Sequence, residues 1–189
     1  TTNIINRLLK HSDGNVYAFC NRSVFKCSMN QTVETVFPDI AIPSPTYSVA
    51  QAPDKDIYIG TESNGLYIYS ENWKLKKHVP IDGIIATILP DNNGDIWLGL
   101  DETGICLFNK NKQTFTWLHK DNTNLNNNSI RTFVSYGDSS ILVGTFRGLN
   151  ILNKKELTIT PANINIAGKG GLSHYSIHSM LIDKDQTLW

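Results

Sequence analysis

Few residues of this chain have the type and spacing that catalysis or metal binding needs. His174 and His178 are four residues apart, a spacing that suits zinc when both lie on one helix. Their segment is predicted to be loop and strand, where the two rings do not converge, and no nearby Cys or acidic residue completes a ligand set. Lys169-Gly170-Gly171 is not followed by the helix that a phosphate loop requires. The sequence therefore predicts no catalytic residue, no metal and no cofactor.

The elements that would position a site come from a repeated hairpin. One copy runs from Ile96 to Gly99 and from Gly104 to Phe108, two short apolar strands with a glycine-bearing connection. Aligned on one bulky residue, the copies recur every 39 to 47 residues, at Tyr17, Tyr58, Trp97, Leu142 and Trp189. This period is typical of propeller blades.

Each hairpin has a further apolar segment before it, and the four complete copies have another after it. The segments before are Ile4–Leu9, Tyr47–Ala52, Ile84–Leu89, Ile130–Val134 and Ile177–Ile182, and those after are Val33–Phe37, Lys74–Val79, Thr114–Leu118 and Leu157–Thr160. Four short strands per repeat predict an all-β fold, a β-propeller built of four-stranded antiparallel blades. We expect one propeller segment over residues 1–189, with blades at about 1–40, 41–80, 81–124 and 125–165 and a partial blade at 166–189. This is about four blades plus half of another, which indicates a piece of a longer propeller.

Composition limits the partners. The chain is 40% hydrophobic and 18% charged, with 17 basic and 17 acidic residues, which favours a globular domain and gives no overall field for nucleic acid. No transmembrane run or signal peptide is visible, so a membrane would be reached only through parts of the protein outside this segment.

The expected register does not place Cys20 opposite Cys27, which favours buried thiols over a disulfide.

Candidate ligand residues follow from blade geometry. The first strand of each blade lines the central channel of a propeller, and the residue eleven before the alignment position varies: Asn6, Ala86, Arg131 and His178. The turn of the second repeat is predicted to be shorter, which shifts the expected equivalent in that repeat to Ser48 or Val49. These polar and cationic groups suit a polar or anionic ligand, or else are channel walls that bind only water. Aromatic faces for a sugar are offered by Tyr47 and Tyr175, and by Trp73 and Trp117 if these do not serve as outer-strand packing.

The sequence of the connector between the third and fourth repeats is a more specific family signature than the repeat period. It reads FTWLHKDNTNLNNNSIRTF and contains His119, Leu125, Asn126 to Asn128 and Ile130. Together with the hairpin from Asp91 to Gly99, it resembles the two-component regulator propeller repeats. Leu142 replaces the usual Trp, and the first repeat lacks its glycines.

The resemblance implies a periplasmic sensor region of hybrid two-component histidine kinases of the Bacteroidetes type. Such repeats imply an oligosaccharide ligand, and the kinase would lie elsewhere in the parent protein, so this segment is not expected to be an enzyme. One alternative is a propeller lyase resembling virginiamycin B lyase, which needs a His and an acid facing each other, with His174 or His178 as the His. The other is a scaffold or dimerisation module, which would form a homodimer.

Overall fold

The computed structural model describes residues 4–20, 23–28, 32–35, 44–162 and 176–189. Within these ranges the chain forms sixteen β-strands and no helix. The first sheet contains β1 (Ile5–Lys10), β2 (Val16–Cys20), β3 (Val24–Cys27) and β4 (Val33–Thr35), and the second contains β5 (Thr46–Gln51), β6 (Ile57–Thr61), β7 (Leu66–Tyr69) and β8 (Leu75–Val79). The third contains β9 (Ile85–Pro90), β10 (Asp95–Leu100), β11 (Gly104–Asn109) and β12 (Thr114–Leu118), and the fourth contains β13 (Ile130–Tyr136), β14 (Ser140–Thr145), β15 (Gly148–Asn153) and β16 (Ile159–Pro161).

All four sheets share one topology: neighbouring strands follow chain order, as in an antiparallel meander. The predicted fold class is confirmed, because four such sheets are the blades of a partial β-propeller. The chain divides into two compact units, Thr1–Gly94 and Asp95–Trp189. The division of residues 1–189 into five blade segments stays a prediction.

Burial explains the sequence pattern of the strands. The second strand of a sheet is buried along nearly its whole length, as in β6 and β10, which is why these segments are apolar without alternation. The fourth strands, such as β8 and β12, are exposed at every residue but their last. In these two sheets, burial therefore decreases from the second strand to the fourth.

In the first unit, a hydrophobic core joins the first sheet to the second. Its members are Leu9, Tyr17, Phe19 and Val24 from the first sheet, and Ile57, Ile59, Tyr67, Tyr69 and Trp73 from the second sheet and its last turn. Trp73 is buried with a φ of 60°, and its ring stacks on His11 at 5.7 Å between centroids. Of the two interpretations of Trp73, packing is the one that its burial supports.

Two repeat glycines allow a neighbouring segment of the same unit to pack closely against the sheet. A Cβ added to Gly60 would lie 2.6 Å from Ile85 Cγ2, and one added to Gly144 would lie 2.6 Å from Ile177 Cγ2. Real Cβ atoms do not approach this closely, so glycine is the residue that fits. Ser48 Oγ bridges the same contact in the first unit, because it donates to the carbonyl oxygen of Ile85 at 2.6 Å.

The three cysteines are free thiols. Cys20 pairs with Ile5 across the first sheet and Cys27 pairs with Val16, so the expectation that they do not face each other is confirmed. Among the described residues, no helix is long and apolar enough to cross a membrane.

The last predicted strand forms only in part. Ile177–Ile182 was expected to be a full strand, but within residues 176–189 only an isolated bridge between Ile182 and Leu188 is present. The backbones of Leu181 and Trp189 exchange hydrogen bonds at 3.0 and 2.8 Å. Asp183 closes the turn between them, accepting from the backbone of Asp185 and Thr187 and from Trp189 Nε1.

Candidate ligand-binding site

Three of the predicted ligand residues occupy the same structural feature. Asn6, Tyr47 and Arg131 each form a one-residue β-bulge near the beginning of the first strand of their sheet. In β13, for example, Ile130 pairs with Thr145 and Thr132 pairs with Gly144, which leaves Arg131 without an opposing residue. A bulge redirects a side chain relative to the pleat, so these three positions are freed from the alternation of their strands.

The bulge corrects one expectation. Tyr47, and not Ser48 or Val49, is the equivalent of Asn6 and Arg131. The turns that follow β1 and β5 have the same length, five residues each, so no shift is needed. Ser48 is buried and Val49 packs against the core, so neither side chain is available to bind a ligand.

In the first unit, two bulges open on one cavity. Asn6 and Tyr47 lie together in an open depression of about 470 Å³ that is also lined by Ile5, Arg7, Pro45, Thr46 and Glu62. This volume lies within the range of small-molecule sites. The structure thus brings together two residues that were predicted separately, one from its channel position and one as an aromatic face.

The chemistry of this depression is mixed. Tyr47 is 36% exposed and offers both a ring face and a hydroxyl. Arg7 donates from Nη1 to the carbonyl oxygen of Asn6 at 2.8 Å, and the backbone of Glu62 donates to the carbonyl oxygen of Pro45 at 3.0 Å. One guanidinium and one carboxylate give no net charge, so the depression suits an uncharged ligand that is rich in hydroxyl groups.

Arg131 lies in the second unit with different neighbours. Its guanidinium carbon is 5.7 Å from the centroid of the Phe146 ring, and its Nη1 is 3.6 Å from Asp101 Oδ2. The first contact is a cation–π interaction, and the second is an ion pair longer than a hydrogen bond. Neither Phe146 nor Asp101 was identified from the sequence.

The remaining predicted residues do not join these clusters. His178 is exposed, and its Nε2 lies 3.3 Å from Ser176 Oγ. Tyr175, His174 and the Lys169-Gly170-Gly171 segment lie outside the described residues. No group of three His, Cys, Asp or Glu side chains that could hold a metal occurs in the part of the chain that the structure describes.

The connector motif has a structural role that its residue types explain. Asn126 Oδ1 accepts hydrogen bonds from Thr145 Oγ1 and Asn150 Nδ2, both at 2.8 Å. Asn128 Oδ1 accepts from the backbone of Lys120, and the Asn128 carbonyl oxygen accepts from Gly104 N, each at 2.8 Å. The asparagines therefore fasten the connector to β11 and to the β14–β15 hairpin.

The fold defines the protein class as a β-propeller with four-stranded blades, and solved structures share it. The extracellular domain of a proposed hybrid two-component system, BT4673 from B. thetaiotaomicron, matches with a TM-score of 0.80 and 19% identity over 99% of this chain. The corresponding domain of BT3049 from the same organism matches with a TM-score of 0.75 and 23% identity over 100% of this chain.

The chain spans about a quarter of the length of both structures, 25% in each case. PorZ, a surface component of the type-IX secretion system of Porphyromonas gingivalis, matches more distantly, with a TM-score of 0.66 and 12% identity over 82% of this chain and 26% of its own. At these identities the likeness shows a shared fold. No family model and no curated protein matches the chain.

Proposed function

We propose that this chain is a non-enzymatic, ligand-sensing part of the extracytoplasmic region of a hybrid two-component sensor, and that its ligand is an oligosaccharide. The observation that carries the proposal is the depression in the first unit, where the bulge residues Asn6 and Tyr47 line one open cavity. The fold shared with the extracellular domains of BT4673 and BT3049 supports the sensor class and an extracytoplasmic, periplasmic location. The histidine kinase would belong to the parent protein.

The ligand class follows from the side chains. A sugar presents an apolar ring face, which Tyr47 can stack on, and many hydroxyl groups, which Asn6, Arg7 and Glu62 can bind as donors and acceptors. The opposite charges of Arg7 and Glu62 keep the depression electrically balanced. A neutral oligosaccharide fits this combination better than a phosphate or a cation.

Isothermal titration calorimetry of the protein against neutral oligosaccharides of different linkages tests the proposal. We expect at least one to bind, and we expect Tyr47→Ala to weaken that binding about tenfold or more, since stacked aromatic rings dominate such contacts. Tyr136→Ala is the matched control, because Tyr136 is 54% exposed on β13 and does not line the depression. Equal effects of the two substitutions, or no binding across the panel, would contradict the proposal.

A further inference from the structure

The end of β14 in the second unit gathers basic residues from three segments. Thr145 pairs with Ile130, which places Arg131 beside this end, and the Thr145 carbonyl oxygen accepts from Ile177 N at 2.9 Å, which places His178 near it. Arg147 lies in the following turn, with its backbone N donating to Thr145 Oγ1 at 3.0 Å. Backbone contacts thus bring three segments to one strand end, and among their side chains Arg131 and Phe146 contact each other.

Two acidic residues lie on the neighbouring turn and are engaged differently. Asp101 lies 3.6 Å from Arg131 Nη1. Glu102 is exposed, and its backbone N donates to Ser129 Oγ at 3.3 Å. Among the described residues, Asp101 is therefore the carboxylate that an incoming anion would compete with at the Arg131 guanidinium.

The guanidinium of Arg131 has unused hydrogen-bonding capacity. None of the hydrogen bonds among the described residues involves it, and its Nε is buried without a partner. An arginine carries five N–H donors in a planar fork, and leaving them unpaired in a partly buried site is unfavourable. The Arg131 side chain is 33% exposed, so a ligand can reach the outer part of the fork.

We propose that Arg131 and Phe146 form an anion-binding subsite that takes the carboxylate of an acidic sugar. A carboxylate accepts two parallel hydrogen bonds from a guanidinium, a geometry that the single long contact with Asp101 does not provide. The Phe146 ring is 51% exposed and supplies an apolar face for the sugar ring that bears the carboxylate. Asp101 holds the guanidinium in place until the ligand arrives. The inference that the ligand is a sugar rests on the proposed function. The inference that an anion binds here rests on the geometry of Arg131 alone.

Calorimetry with trigalacturonic acid and with its fully methyl-esterified form tests this subsite. These ligands have the same ring and linkage and differ in charge. We expect the acid to bind at least tenfold more tightly than the ester. Arg131→Gln should remove this preference, Arg131→Lys should keep only part of it because a lysine cannot form the bidentate pair, and Asp101→Asn should strengthen binding of the acid. Lys155→Gln, which removes a positive charge at the opposite end of β15, should leave the preference unchanged.

Several results distinguish this inference from the proposed function. Equal binding of acid and ester would overturn the anion subsite and leave sugar sensing intact. The anion subsite would also be overturned if Arg131→Gln, with an unchanged circular dichroism spectrum, still preferred the acid. If no sugar binds, titration with sodium sulfate decides. A saturable shift of the Arg131 Nε–H resonance in a nitrogen-15 spectrum would support the anion site without the sugar, and its absence would overturn it.

Discussion

Asn126 and Asn150 bind each other in both directions. Asn150 Nδ2 donates to Asn126 Oδ1 at 2.8 Å, and Asn126 N donates to Asn150 Oδ1 at 3.2 Å, although the two residues are 24 positions apart in sequence. Asn150 is fully buried, at 0% exposure, in the middle of β15, where a polar side chain would otherwise be unfavourable. The pair therefore makes a buried amide part of the attachment between a connector and its sheet.

Replacing Asn126 by Ala should lower the free energy of unfolding by about 1–3 kcal/mol, because the substitution leaves Asn150 Nδ2 buried without an acceptor. Chemical denaturation followed by tryptophan fluorescence measures the change. Asn124→Ala, at an exposed position in the same connector, is the control and should change stability by less than about 0.5 kcal/mol. Similar losses in both variants would show that the amide pair has no special role.

Gly60→Ala should also destabilise the protein, by about 1–3 kcal/mol, since the new methyl group would overlap Ile85 in the neighbouring strand. Thermal unfolding monitored by circular dichroism provides the comparison. The control is Gly137→Asn, because nothing lies within 4 Å of an added Cβ there and Asn tolerates the positive φ of 62°. A Gly60→Ala protein as stable as the control variant would contradict the close packing.

The stability of the first unit should depend on pH through Asp13. Burial disfavours the ionised carboxyl, but hydrogen bonds from Asn15, Tyr17 and His11 outweigh it and hold the pKa of Asp13 well below its usual range. Because folding depresses this pKa, the stabilisation is fully present above about pH 4 and is lost as the pH falls toward the folded value.

Urea denaturation between pH 2 and pH 7 tests this dependence. Asp13→Asn should make the unfolding free energy less dependent on pH below about pH 4. Tyr17→Phe removes one donor, the hydroxyl that lies 2.9 Å from Asp13 Oδ2, and should produce a smaller change in the same direction. An unchanged acid slope in Asp13→Asn would rule out this carboxyl as its source.

The thiols should differ in reactivity. Burial raises the pKa of Cys106 to about 12 and also raises the pKa of Cys20, so neither forms a thiolate at neutral pH, whereas Cys27 is only half-buried. Brief alkylation with iodoacetamide at pH 8, followed by peptide mass spectrometry, should label Cys27 first. Labelling of all three should require denaturant. Early modification of Cys106 in the native protein would contradict its burial in β11.

The strands were predictable because local pattern determines them. The hairpin around Trp97 and its copies lie where the apolar runs predicted them, since strands of this kind must be apolar to be buried on both faces. The segment at Ile177–Ile182 did not follow this rule. It has the apolar pattern of a strand, but a ladder also depends on partners, and within residues 176–189 only the bridge between Ile182 and Leu188 forms.

The candidate site was predictable in part. Counting along the repeat identified Asn6 and Arg131, because the bulge lies eleven positions before the alignment residue in both repeats, although the turn after β1 has five residues and the turn after β13 has three. The same count applied without a shift gives Tyr47. Phe146, Asp101 and Glu62 could not be found in this way, because they come from other strand ends and meet the bulge residues only in three dimensions.

The bulges have a consequence for how such a protein changes over generations. A residue that opposes no partner contributes little to the ladder, so asparagine, tyrosine and arginine occupy the same place in three sheets without altering the strands on either side. Substitution at these positions can therefore change the side chain while leaving the scaffold intact. In three of the sheets, one inserted residue thus separates the proposed ligand contacts from the ladder that keeps the sheet folded.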